Sequence, residues 1–586
     1  MSERWLVARN GLLCSVIFVA CLAIAHPVAQ MGFVDDWSYI QSALLLSQTG
    51  HFVYNGWSSA MLGWQLLWGA LFIKLFGFSF NVVKLSTVPI AAATVFLFHV
   101  IQGRFGIHGR NAILGTLTLA LSPLFLPLSA SYMTDVPGLF TVLLCLYGCQ
   151  RALVGRTNAA ALAWLCAATA CSLIGGTARQ TSWLGALVIV PCTAWLLRRR
   201  RWVVPAAIAL WIASLAAVLF CLHWFGRQPY STTESGFLAT ALHHPGRELL
   251  SAWPEMLGEL LCLLLLVYPI LVAWLGEIRR LRAADLAAFG SILLVVALLQ
   301  REMQWTLPWV PHLILCEFSS PRTTDIGWDY GAFLLPMTVR YALALLVIGT
   351  ALAGCFGFAM RRRAARSEGS RFPPAAVALL VPFTLSYCAL IVPRAADFVA
   401  FDRYMLDLMP VAIVFLILIY QQDFQPQLPR SSAVAVALFA VLAVAGTHDW
   451  FAWQRARLAA IAELRAAAIP RTAIQGGFEY DGWTQIENRG HINDSRIRIP
   501  SGAYDPHPPL PNAPSGCRLD FAPYTPAVQP RYSVAFAGTA CLDPSPYPPV
   551  RFRTWLPPFH GTIEVRAFPA SEQRPDTAVP APAAAR

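Results

Sequence analysis

The sequence predicts an all-α polytopic membrane protein with about thirteen transmembrane helices and a small C-terminal extracytoplasmic domain of mixed or irregular structure. Of its 586 residues, 57% are hydrophobic and only 13% are charged, whereas soluble domains carry about 25% charged residues. Long apolar segments also recur along most of the chain. Too little polar surface is left to cover a water-facing core, so the chain requires lipid as its solvent.

Thirteen apolar segments are long enough, or nearly long enough, to cross a bilayer, which takes about 20 residues. The predicted spans cover residues 9–27, 82–101, 111–129, 135–150, 159–175, 181–197, 203–222, 256–276, 285–300, 334–360, 374–392, 404–420 and 432–447.

Arginine clusters predict the orientation. They recur in every second loop, as in Arg198–Arg201 and Arg361–Arg363, and such loops face the cytoplasm. This predicts a cytoplasmic N-terminus and, after an odd number of spans, an extracytoplasmic C-terminus. The net charge of +12 therefore does not indicate nucleic-acid binding. An alternative for the first segment, with Arg4, Arg9 and Ala23-Ile24-Ala25, is a cleaved secretory signal.

We divide the chain into three parts. A transmembrane domain covers 1–447 and includes a long outer loop at 28–81, an extracytoplasmic domain covers 448–567, and a Pro- and Ala-rich disordered tail covers 568–586. Cys517 and Cys541 are the only cysteines in the polar C-terminal part, so an oxidising compartment would favour a disulfide between them.

Two acidic positions on the predicted outer side are candidate catalytic groups, because carboxylates at a membrane are costly. Asp35 and Asp36 precede an amphipathic stretch shortly after the first span, and Asp135 begins the fourth span. The alternative for each position is helix capping. Capping needs one carboxylate, so it leaves the second member of the Asp35-Asp36 pair unexplained.

Basic residues also lie at outer helix ends, against the general trend. Lys84, Arg179 and Arg403 are among them. Each alone could be an interfacial anchor whose charged head reaches water, but together they could bind a phosphate. A carboxylate beside such cations can deprotonate an acceptor hydroxyl, while the cations stabilise a departing lipid phosphate.

These motifs resemble those of the GT-C superfamily of polyprenyl-phosphate-sugar glycosyltransferases, in particular the aminoarabinose-transferase-like and protein O-mannosyltransferase-like families. The families carry an Asp-Glu pair and a following Tyr after the first helix, then a Gly. The matching segments here are Asp35-Asp36-Trp37-Ser38-Tyr39 and Gly50. The pair is Asp-Asp rather than Asp-Glu, and the His-Pro-Pro segment of many bacterial relatives is replaced by Ser58–Trp64.

The resemblance implies a GT-C fold and assigns further residues. It implies that Asp35 is the catalytic carboxylate, Asp36 its partner and Asp135 the second aspartate. It places the donor phosphate at four residues, Lys84, Arg179, Arg403 and Tyr404.

The sequence therefore predicts an inverting glycosyltransferase that moves a sugar from a polyprenyl-phosphate donor to a lipid, glycan or protein acceptor. The expected location is a bacterial inner membrane, with the active site in the periplasm. No cofactor or metal is required, although paired carboxylates can hold a divalent ion. The alternatives are a transporter or flippase of a lipid-linked sugar, which would carry broken helices near the midplane and paired repeats, and a non-catalytic scaffold.

Overall fold

The computed structural model describes residues 3–233, 245–303, 335–364, 372–397, 401–511, 519, 521–536 and 542–569. The predicted Cys517–Cys541 disulfide and almost all of the predicted disordered tail lie outside these residues. The described part is mainly helical, with a small sheet near its C-terminal end.

The described residues contain nineteen α-helices. They are α1 (Glu3–Ala25), α2 (Asp36–Thr49), α3 (Gly63–Phe76), α4 (Phe80–Leu85), α5 (Thr87–Arg104), α6 (Gly109–Ala120), α7 (Phe125–Leu128), α8 (Asp135–Leu153), α9 (Asn158–Ala178), α10 (Val190–Leu196), α11 (Val203–Gly226), α12 (Pro245–Leu266), α13 (Tyr268–Leu271), α14 (Ala283–Met303), α15 (Met337–Ala364), α16 (Pro374–Asp397), α17 (Met409–Asp423), α18 (Arg430–Ala466) and α19 (Phe478–Arg489).

The predicted membrane architecture is confirmed, but the count of thirteen spans is not. Within the described residues, eight helices are long and apolar enough to cross a membrane, or nine if the bent pair Met256–Leu266 and Tyr268–Arg280 is one span. The pair bends by 65°, where Pro269 disfavours a continuous helix. The predicted span 111–129 is likewise divided, since α6 ends at Ala120 before Pro123 and α7 begins at Phe125.

The two predicted sides of the membrane separate in the structure. Loops predicted to be cytoplasmic contact one another: Gln421 donates to the carbonyl of Gly106 at 3.1 Å, and Arg361 pairs with Glu277 at 3.0 Å. The candidate carboxylates Asp35, Asp36 and Asp135 lie at the opposite helix ends, where α2 and α8 begin. The predicted outer loop 28–81 is itself structured, since it contains α2 and α3.

The C-terminal part is built on α18, a helix of 37 residues that continues beyond the apolar segment. Five strands follow: β1 (Ile474–Gln475), β2 (Tyr532–Phe536), β3 (Asp543–Pro544), β4 (Val550–Arg553) and β5 (His560–Ala567). β1 pairs with β2 in parallel, and β5 pairs antiparallel with β2, β3 and β4. This sheet beside α19 confirms the predicted mixed structure.

The C-terminal part packs directly on the outer loop. Trp483 of α19 lies 4.7 Å from Phe80, measured between ring centroids. Gly482 faces Trp37 so closely that an added Cβ would lie 2.7 Å from the indole ring. Because only a residue without a Cβ fits there, Gly482 permits the close approach of α19 to α2.

Candidate active site

Asp35 directly precedes α2 and is the more accessible member of the aspartate pair. Its Oδ1 accepts a hydrogen bond from Trp57 Nε1 at 2.9 Å, and its Oδ2 pairs with Arg403 at 3.1 Å. The Asp35 side chain is 18% exposed. A carboxylate held on both oxygens and still reachable from solvent suits a general base.

Asp36 lies in a different environment. It is fully buried, and its two oxygens accept backbone N–H groups from Phe33 at 2.6 Å and Tyr132 at 2.8 Å. Burial raises the pKa of Asp36 to about 7, while Lys84 and the two N–H groups favour the ionised form. Because both oxygens are engaged by backbone, Asp36 connects the loop before α2 to the loop before α8.

Lys84 is not brought to Arg403 or Arg179. Its side chain is 1% exposed, and its ammonium donates to the carbonyls of Ala29 at 2.9 Å and Met31 at 2.8 Å. The ring of Phe451 lies 5.0 Å from the ammonium. This geometry makes Lys84 a support for the segment that leads to Asp35, rather than an open phosphate ligand.

A second charged cluster lies at the start of α8. Asp135 pairs with Arg179 at 2.6 Å, and Arg179 Nε also approaches Asp407 at 3.4 Å. Thr181 donates to the same Asp407 oxygen at 3.2 Å. The sequence argument did not select Asp407, although a carboxylate inside the predicted span 404–420 was a signal that could have identified it.

Tyr404 joins the two clusters. The guanidinium carbon of Arg179 lies 5.7 Å from the centre of its ring, and that of Arg403 lies 5.9 Å away. The backbone carbonyl of Tyr404 accepts the Tyr387 hydroxyl at 2.7 Å, which fixes this turn against α16. Asp35, Arg403, Tyr404, Arg179 and Asp135 therefore form one continuous site.

Trp57 is a further site residue without a sequence signal, since it lies within the outer loop. Its indole packs against four aromatic rings at centroid distances of 5.5–5.9 Å, with Phe478, Phe521 and Tyr524 contributed by the C-terminal part and Trp37 by α2. The C-terminal part thus supports the residue that holds Asp35.

Among the described residues, no group of three or more His, Cys, Asp or Glu side chains is arranged to hold a metal ion. Asp135 Oδ2 is a buried oxygen without a hydrogen-bond partner among the described residues, so it could accept a hydrogen bond from a substrate hydroxyl.

No protein-family model matches the chain. No curated protein matches it either. Several solved structures are similar to it. A Saccharomyces cerevisiae protein O-mannosyltransferase complex bound to the sugar donor is 15% identical with a TM-score of 0.30, over 38% of this chain and 32% of that chain.

The ArnT protein from Cupriavidus metallidurans is 14% identical with a TM-score of 0.35, over 78% of this chain and 80% of that chain. The Archaeoglobus fulgidus oligosaccharyltransferase is 13% identical with a TM-score of 0.40, over 74% and 53%. The match thus spans about a third of the mannosyltransferase and about half of the oligosaccharyltransferase. At 13–15% identity, all three are distant similarities.

Proposed function

We propose that this chain is an inverting glycosyltransferase that uses a polyprenyl-phosphate-linked sugar at the extracytoplasmic face of the membrane. The observation that carries the proposal is the pairing of the accessible Asp35 carboxylate with Arg403 at 3.1 Å. One group supplies a base and the other a phosphate ligand. Both lie at helix ends, on the side opposite the arginine-rich loops.

In the proposed reaction, Asp35 takes the proton of an acceptor hydroxyl, whose oxygen attacks the anomeric carbon of the donor sugar. The bond from that carbon to the phosphate oxygen breaks, and the lipid phosphate leaves with the electron pair. Arg403 stabilises the charge that develops on the phosphate. Because a single displacement occurs, the configuration at the anomeric carbon is inverted.

Arg403 links donor binding to activation of the base. It pairs with Asp35 in this structure, and a bidentate phosphate contact would compete for the same guanidinium. Donor binding would therefore release one oxygen of Asp35 for the acceptor. Arg179, held by Asp135 and Asp407, supplies a second positive charge that does not need to leave its partners.

The test is sugar transfer in liposomes with a panel of polyprenyl-phosphate pentoses and hexoses, comparing the wild type with Asp35→Asn. We expect turnover in the wild type and a loss of at least ~100-fold in the variant, the lower part of the range for a general base. Asp505→Asn, an exposed aspartate of the C-terminal part, is the matched control and keeps wild-type turnover. Equal turnover of wild type and Asp35→Asn would exclude the assigned base.

A second candidate function is transport of the lipid-linked sugar, favoured by the 65° bend between Met256–Leu266 and Tyr268–Arg280. Broken helices are common at transporter binding sites. Movement of the intact labelled donor across the liposome membrane, without a glycosylated product, would support transport. The glycosyltransferase proposal expects product and free lipid phosphate in equal amounts.

A further inference from the structure

The β4–β5 turn, residues 554–559, exposes large apolar side chains on the surface of the C-terminal part. Trp555 is 45% exposed and Phe559 is 61% exposed, and Pro557 and Pro558 between them are also exposed. Phe559 has a φ of 66°, in the left-handed region that a bulky residue rarely adopts. Burial within the domain therefore does not explain this turn.

The turn is fixed to α18 at the point where that helix leaves its apolar segment. The carboxylate of Asp449 accepts the backbone N–H of Trp555 at 2.6 Å and of Leu556 at 2.9 Å. The His448 ring stacks on the Trp555 indole with centroids 4.0 Å apart. The height of the turn is thus set by α18 and not by a flexible connection.

An exposed apolar face of α18 leads to this contact. Val434, Leu438 and Val441 are exposed apolar residues, and their spacing places them on one face of the helix. The same spacing continues through Ala445, which is buried, to His448, so the exposed face ends where the turn begins.

The end of α1 places the membrane boundary at a similar height. Arg455, two turns beyond His448, donates to the carbonyls of His26 and Val28, directly after α1 ends at Ala25. Arg455 is therefore level with the end of the apolar segment of α1. His448 comes two turns earlier on α18, so His448 and the turn lie at this boundary or on its membrane side.

Charge on β4 complements the apolar tip. Arg551 and Arg553 are exposed, and they lie on one face of the strand because they alternate with Phe552. Aromatic side chains flanked by arginines are typical of segments at an anionic membrane surface.

We propose that the β4–β5 turn is a membrane anchor that inserts Trp555 and Phe559 into the outer-side bilayer interface, with Arg551 and Arg553 on anionic phospholipid headgroups. The anchor fixes the C-terminal part to the bilayer at a second point besides α18. This proposal does not depend on the transferase activity, and its test uses no turnover.

The test replaces Phe559 with the photoreactive benzoylphenylalanine in the full chain, reconstituted in nanodiscs of phosphatidylethanolamine and phosphatidylglycerol. After irradiation, mass spectrometry should find lipid adducts at position 559. The control is the same replacement at Tyr504, which is 37% exposed and should form few adducts. Its neighbour Asp505 is held to the C-terminal part, because the Asp505 backbone N–H donates to Asn493. Replacement of Trp555 gives a second position if the first variant folds poorly.

The anionic headgroup has its own readout. The adducts should contain phosphatidylglycerol at roughly fivefold above its bulk fraction, as expected for a basic side chain near an anionic surface, and Arg551→Gln with Arg553→Gln should remove the enrichment. Equal lipid yields at 559 and 504, adducts with protein only, or none at 559 and 555 would overturn the anchor. An adduct composition equal to the bulk would overturn the assignment of the arginines.

Discussion

Asp35 and Asp36 are neighbours in sequence, but their carboxylates contact different parts of the molecule. Asp35 is bound by two side chains, Trp57 and Arg403, and remains accessible. Asp36 is bound by two backbone N–H groups and is buried. Capping could not account for two acids at one helix start, and the structure resolves this: Asp36 joins two loops, while Asp35 faces the site.

At the scale of single residues, the sequence argument selected Asp35, Asp135, Arg179, Arg403 and Tyr404, which the structure brings together. Their roles in catalysis and donor binding remain predictions. Trp57 was missed because its bond to Asp35 depends on how loop 28–81 folds back, and no spacing encodes that path. Asp407 was missed because it lies inside an apolar run that was interpreted only as a span.

The Trp57 indole N–H gives a residue-scale prediction. Trp57→Phe keeps the ring among its aromatic neighbours but removes the hydrogen bond to Asp35. The loss of one bond to a charged group, about 1.5 kcal/mol, should lower kcat about tenfold, with KM for the donor nearly unchanged, because the base is oriented less well. Steady-state kinetics with varied donor measures both constants.

Trp68→Phe is the matched control, because Trp68 Nε1 donates at 2.8 Å to the carbonyl of Ser86, outside the charged cluster. Its kcat should stay at the wild-type value. An equal fall in kcat for both variants would show that loss of packing, and not the bond to Asp35, is responsible.

At the scale of elements, the segment between α1 and α2 determines where Asp35 lies. It is irregular, and it is held by basic groups on other elements: the buried Lys84 of α4 binds two of its carbonyls, and the partly exposed Arg455 of α18 binds two more. A basic residue at a helix end was interpreted from sequence as a phosphate ligand. The sequence could not show that the carbonyls of an irregular loop lie closer to it.

Lys84→Met tests this support. Two buried carbonyls would lose their donor, at about 1–3 kcal/mol for each unsatisfied group, so the midpoint of thermal unfolding should fall by several degrees. The affinity of the folded protein for a polyprenyl phosphate should not change. Lys74→Met, at the end of α3 where Lys74 is exposed, should alter neither quantity. Weaker lipid-phosphate binding by Lys84→Met with unchanged thermal stability would restore the phosphate role.

At the scale of the whole molecule, composition and the alternation of arginine clusters were enough to predict a helical membrane domain with two distinct sides. They were not enough to count the spans. Pro123 and Pro269 interrupt apolar runs that are continuous by composition, and the helices break or bend beside them. The sheet of the C-terminal part could not be ordered from sequence, because β1 and β3 have only two residues each and β1 pairs with a strand, β2, that lies far along the chain.

The contact between Gly482 and Trp37 tests how the two parts of the molecule depend on each other. Gly482→Ala places a methyl group 2.7 Å from the indole, so α19 must move away from α2. Overpacking of this kind costs about 1–3 kcal/mol, and both thermal stability and sugar transfer should fall. Gly103→Ala, where the nearest atoms are 3.8 Å away, should leave both unchanged. Unchanged transfer by Gly482→Ala would show that the C-terminal part does not influence the site.

The pairing of Asp35 with Arg403 joins residues 368 positions apart, and Asn55 accepts the backbone N–H of Ile492 from still farther along the chain. Contacts of this separation form only after the later segment has been synthesised. During biosynthesis, the first outer loop is therefore present, next to helices already inserted, before its contacts with Arg403 and Ile492 can form. Chains interrupted by premature termination before residue 403 would retain Asp35 without its arginine partner, so the ribosome must pass residue 403 before the Asp35–Arg403 pair can form.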